Sequence, residues 1–126
     1  MTIRDVIAAV TQQRQPGLNE EEYLRVISDV DMKALREVIE PRGGELTDAW
    51  TAYTMEDADK ELLIPAPYDK VYVHACCAEI DDRENQIGNL SNASRFFYSK
   101  FGDYAKWYLR THRPAPKRLH SRWFGI

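Results

Sequence analysis

Apolar residues recur along this chain mostly at steps of three and four, the spacing that gathers side chains on one face of a 3.6-residue turn. Ile3, Val6, Ile7 and Val10 make the first set, capped by Thr2 and stopped near Gln15-Pro16-Gly17. Its face fits a core of its own or a neighbouring copy equally well. Asn19 followed by Glu20-Glu21-Glu22 predicts a second helix, with Asn19 as N-cap and Glu22 at the capping-box position. Tyr23, Ile27, Val30, Ala34 and Val38 form its apolar face, flanked by Leu24, Leu35 and Ile39, while Arg25, Asp29, Lys33 and Arg36 point elsewhere. It runs to about Glu40, before Pro41 and Gly43-Gly44. The three acids at its start complement the helix dipole, which accounts for them without an anionic site.

A third helix is expected from Pro67, whose ring presets φ, with Asp69 near the positive helix end and Tyr68, Val71, Tyr72, Ala75 and Ala78 as its stripe. Val73, Cys76, Cys77 and Ile80 widen the apolar arc, so this helix is predicted to be central and covered on more than one side. After a break marked by Asp81 to Asn85 and Gly88-Asn89, a fourth helix carries Leu90, Ala93, Phe97, Phe101, Tyr104 and Tyr108 on one face to about Thr111. Gly102 inside it lowers helix preference by about 1 kcal/mol relative to alanine and suggests close packing. Between helices two and three the periodicity disappears. Leu46 to Thr54, with Trp50, Thr51 and Tyr53, and Leu62 to Ile64 predict a short β-ribbon or an extended loop, which must lean on the helices or another subunit. Asp57 and Asp59 lack the glycine and terminal glutamate of an EF-hand. Pro114 and Pro116 end helical structure. The fold class is mainly α: a bundle of about four helices over residues 1–112, with an extended tail at 113–126.

At 126 residues, with 44% hydrophobic and 29% charged side chains, the chain is long enough for one domain that buries roughly two thirds of its unfolded surface. No apolar signal core follows Met1, and no run is long enough to span a bilayer, so synthesis and retention in the cytoplasm are expected, with no membrane partner. The net charge of −3 is unevenly placed. From Lys106 to Ile126 there are six Lys or Arg and no acid, which leaves 11 basic against 20 acidic side chains in residues 1–105. An acidic body does not suit wrapping around phosphates. The tail is basic yet carries Leu119, Trp123, Phe124 and Ile126, too apolar for a purely solvated segment, and is a candidate docking element.

Catalytic chemistry finds little support. Cys76 and Cys77 are adjacent, match no metal-ligand spacing and read as small buried residues; His74 nearby is their one enzyme-like neighbour. P-loop, GxGxxG and zinc spacings are all missing from the sequence, so neither an enzyme nor a cofactor or metal is expected.

The succession Leu62-Leu63-Ile64-Pro65-Ala66-Pro67-Tyr68-Asp69, Val71-Tyr72, Ala78-Glu79-Ile80-Asp81, Phe96-Phe97 and Trp107-Tyr108-Leu109-Arg110-Thr111-His112-Arg113-Pro114 resembles the small head-to-tail connector, or adaptor, proteins of tailed phages and prophages. With Leu35 to Ile39 and Tyr53-Thr54 upstream, the resemblance covers about residues 20 to 114. His74-Ala75-Cys76-Cys77 stands where that family is tyrosine-rich, and its paired asparagines appear as the split Asn89 and Asn92. The resemblance implies a structural virion protein of the head-tail neck: a dodecameric ring beneath the portal that lengthens the DNA channel without sequence-specific binding and presents a surface to the next stopper or tail-completion protein. By the same analogy the tail reaches the portal through Arg113, Pro114, Lys117, Arg118, Leu119, Arg122, Trp123, Phe124 and Ile126. Tyr68, Tyr72, Phe97, Phe101, Tyr104, Trp107 and Tyr108 serve core or subunit packing, and His112 interacts with the helix-terminal carbonyls. The alternative is a small helical nucleic-acid-binding packaging or regulatory protein, supported by the basic tail and opposed by the acidic body and the lack of a helix with clustered basic and amide side chains.

Overall fold

The computed structural model describes residues 1–42 and 52–112, so residues 46–51 of the strand candidate Leu46 to Thr54 and the tail from Arg113 lie outside the described residues. Four α-helices form the bundle: α1 (Ile3–Gln13), α2 (Glu20–Ala34), α3 (Lys70–Arg83) and α4 (Ile87–Thr111). Both expected N-caps are made. Thr2 and Asn19 each accept from the backbone N–H three residues on, and Asp5 and Glu22 reach back to the cap amides. Ile3, Val6 and Val10 are fully buried, so α1 packs on its own core.

α2 continues beyond Ala34 as a π-turn over Leu35–Ile39 and a 3-10 turn over Glu40–Arg42. The Glu40 amide donates to the Leu35 carbonyl, five residues back, which widens the turn while Leu35, Val38 and Ile39 stay buried. α3 starts at Lys70 rather than at Pro67. The Tyr68 amide bonds to the Pro65 carbonyl at 2.9 Å, so Pro65–Tyr68 closes a tight turn before helical bonding begins. Asp69 stands at the N-cap without a side-chain cap; its carboxylate instead lies 3.5 Å from the chain's amino terminus.

α3 is the central helix. It packs against α4, α2 and α1 together, and Val71, Tyr72, Val73, Cys76, Cys77 and Ile80 are buried around it. The turn to α4 passes through Asn85 in the left-handed region (φ 57°), a conformation asparagine tolerates better than most residues. α4 then opens at Ile87, one turn before Leu90, so Gly88 and Asn89 lie inside the helix.

Among the described residues between α2 and α3 there is no strand pair, only a single bridge between Thr2 and Glu61, and the connection is an extended loop with a 3-10 turn at Met55–Asp57. It leans on the helices. The Leu62 amide donates to the Met1 carbonyl, the Arg4 amide to the Ala58 carbonyl, and Arg4 pairs with Asp59 at 2.8 Å. Asp57 caps the Met55 turn and pairs with Lys60, so both aspartates of that loop have structural partners.

Gly17 has a steric reason to be glycine: a Cβ there would sit 2.5 Å from the hydroxyl of Tyr23, which is 2% exposed, lies near the Leu18 amide and makes no well-formed hydrogen bond. Gly17→Ala is expected to cost about 1–3 kcal/mol in urea unfolding through this overlap. In a Tyr23→Phe background the cost should largely disappear, because the overlapping atom is gone. Gly102 differs. Among the described residues a Cβ there meets nothing within 4 Å, so close packing against them is not why it is glycine.

Candidate functional site

The segment Leu62 to Asp69 is held to the bundle by a buried polar latch. Asp31, fully buried on α2, accepts from the Tyr72 hydroxyl at 2.5 Å, from the Tyr53 hydroxyl, and from the Leu63 amide at 3.4 Å. Tyr72 in turn accepts from the Ile64 amide at 2.8 Å, and the Tyr53 amide donates to Ser28 Oγ at 3.0 Å. One carboxylate thus ties the loop to two helices. Burial raises the Asp31 carboxyl above the usual carboxylate range, outweighing the hydroxyl and amide donors that favour the charged form. Burial and the facing carboxylate push the Tyr72 hydroxyl far up, so it stays a donor.

The sequence reading did not single out Asp31. Its signal was register: it lies four residues after Ile27 and three before Ala34, inside the apolar stripe of α2. A second buried carboxylate was equally unmarked. Arg14, at the C-cap of α1, grips Asp81 of α3 along one guanidinium edge, donating from Nε at 2.8 Å and from a terminal nitrogen at 3.1 Å, and the Asp81 side chain is 1% exposed.

The predicted packing aromatics divide by depth. Tyr72, Phe101 and Tyr104 are buried, whereas Tyr68, Phe97, Trp107 and Tyr108 are partly buried and packed against the core. Tyr68 carries the loop onto α4, with ring centroids 6.2 Å from Tyr104 and 5.7 Å from Trp107. The His112 ring does not turn to the helix-end carbonyls. It stacks on Tyr108 at 3.9 Å and 5°, with Nδ1 2.8 Å from the Thr111 hydroxyl, while only its backbone amide caps the Tyr108 carbonyl.

His74 and Cys77 share a cleft of about 260 Å³ with Gln13, Arg14, Asn89, Asn92, Ala93 and Phe96. Their chemistry there is muted. Burial raises both cysteine thiols above their ordinary range, Cys76 the more strongly, and keeps them protonated. Burial also lowers His74, which packs its ring against Phe96 at 5.5 Å. Among the described residues, no three His, Cys, Asp or Glu side chains converge as metal ligands, and no helix is long and apolar enough to cross a membrane.

On α4, Phe96 and Tyr98 stand 49% and 65% exposed, and Arg95, Lys106 and Arg110 along the same helix are exposed as well. The portal-contact candidates from Arg113 to Ile126 lie outside the described residues. In comparisons with known proteins, no family model, curated protein or solved structure matches this chain.

Proposed function

We propose that this chain is a structural virion protein, a head-to-tail adaptor that forms a ring beneath the portal, extends the DNA channel and offers a docking surface to the next head-completion or tail protein. One observation carries the reading. Two of the segments that bear the resemblance lie far apart in sequence yet pack together, the Tyr68 ring on Trp107, and next to the first of them the Ile64 amide donates to the Tyr72 hydroxyl. The shared residues are therefore those that set the loop on the bundle, as expected of a signature for a scaffold rather than for a reaction. Exposed Phe96 and Tyr98 add adhesive surface that an isolated domain does not need.

In this reading the basic tail docks on the portal, with Trp123 and Phe124 as buried anchors and Lys117, Arg118 and Arg122 meeting acidic portal surface. Deleting residues 113–126 is expected to leave the helical circular-dichroism spectrum in place and to abolish attachment to a portal ring imaged by electron microscopy. Undiminished attachment would refute the role given to the tail.

The basic outer face of α4 favours a second reading, a duplex-binding module laid along Arg95, Lys106 and Arg110. Filter binding over a salt series separates the two. Only the second demands tight binding to free duplex that falls steeply with salt.

A further inference from the structure

We infer that the outer face of α4 in one copy seats on the acidic outer face of α2 in the next copy, an inference that rests on the ring reading above. α4 carries four cations, Arg95, Lys100, Lys106 and Arg110, and one acid, Asp103. None of the four makes a salt bridge among the described residues. Tyr98, 65% exposed, lies one turn beyond Arg95; among the described residues its ring meets the Phe97 ring edge-on, centroids 5.2 Å apart, and the Lys33 ammonium at 6.0 Å. A large aromatic flanked by cations that lack a salt bridge is the composition of an interface centre with a charged rim.

The complementary surface is on α2. Glu20, Glu21 and Asp29 are exposed and likewise lack a salt bridge among the described residues, whereas their neighbours Glu22 and Arg25 are paired with Arg83 and Glu79. Among the described residues, Glu21 and Asp29 rim a groove of about 320 Å³ whose wall includes Leu24. At 1.5 Å per residue, Glu21 and Asp29 stand about 12 Å apart along α2, and Arg95 and Lys106 about 16 Å apart along α4. The cations on either side of Tyr98 thus span the two acidic positions, with the ring between them over the groove. Because the surfaces belong to different elements, the contact is heterologous: every copy offers one of each, and repetition closes into a ring when the rotation allows.

The test is sedimentation velocity on the full chain at low ionic strength, with Lys106→Glu/Arg110→Glu and Glu20→Lys/Glu21→Lys as reciprocal charge reversals. All four side chains are exposed, so the circular-dichroism spectrum should match the unmodified chain; the unfolding midpoint should match for the α4 reversal and fall slightly for the α2 reversal, which places cations at a helix N-terminus. The unmodified chain is expected to self-associate, less so as salt rises, and each reversed variant alone to associate roughly tenfold or more weakly. An equimolar mixture should recover association, because each reversed face then meets an opposite charge on the other variant. An unmodified chain that stays monomeric, a reversal without effect, or a mixture that does not recover would overturn the proposal. If only the α2 reversal abolishes association, the acidic face takes another occupant, such as the basic tail, and α4 is excluded. A chain that assembles through these faces yet never joins a portal ring leaves the interface standing and sinks the adaptor reading. Both reversed variants joining a portal ring as the unmodified chain does would do the opposite.

Discussion

Arg14→Ala is expected to destabilise the fold by about 3–5 kcal/mol, read as a fall in the urea midpoint at unchanged m-value. The loss does not come from Arg14 itself, whose side chain is 26% exposed and returns to water at modest cost. It comes from Asp81, whose carboxylate keeps its burial and loses the two guanidinium donors that offset it. Hydrogen bonding to Asp81 also holds the Arg14 guanidinium above its ordinary pKa. Arg14→Lys should lose an intermediate amount, since an ammonium keeps the charge but not the two-point geometry. Removing both partners in Arg14→Ala/Asp81→Ala should cost clearly less than the two single changes summed. Additive costs would show that the pair is not coupled.

Tyr72→Phe is expected to cost about 2–4 kcal/mol, although it retains the ring and its packing. The hydroxyl sits between two groups that have no water to turn to: it donates to Asp31 at 2.5 Å and accepts from the Ile64 amide at 2.8 Å. Hydrogen exchange at Ile64 should accelerate more than exchange at Val10 in α1, because the hydrogen bonds of the latch hold the loop to α2 and α3 and none of them is made by α1. The same network predicts a pH dependence. Asp31 has a raised carboxyl pKa, so the folded chain binds that proton more tightly than the unfolded chain does. Its contribution is complete below the ordinary carboxyl range near pH 4 and is lost as pH rises through the folded value. The stability of the unmodified chain relative to Asp31→Asn should therefore increase on acidification from neutral pH to about 4. A constant difference across that range would show that burial of the carboxylate is not what shifts it.

Local interactions were legible before folding was considered. Thr2 and Asn19 were readable as caps because a capping box closes within four residues and owes nothing to the rest of the chain. The breadth of the apolar arc on α3, from Val71 to Ile80, announced a helix covered on several sides, and that is where it sits. The π-turn at Leu35–Ile39 left no mark, since one extra residue in a turn changes the bonding but hardly the apolar spacing. Pro67 suggested a helix start by its preset φ, yet the bond from the Tyr68 amide to Pro65 delayed the helix to Lys70.

What the amino-acid order determined alone was which stretches become helices, which faces they bury and how acid and base divide along the chain, because periodicity, caps and charge act over a few residues. Only the tertiary structure decided that Asp31 would meet Tyr72 across 41 positions and Arg14 would meet Asp81 across 67, and that Tyr98 would be left largely exposed. Those outcomes depend on how the helices lie against one another. A buried carboxylate and an exposed aromatic carry no local pattern that separates them from the same residues in the opposite setting.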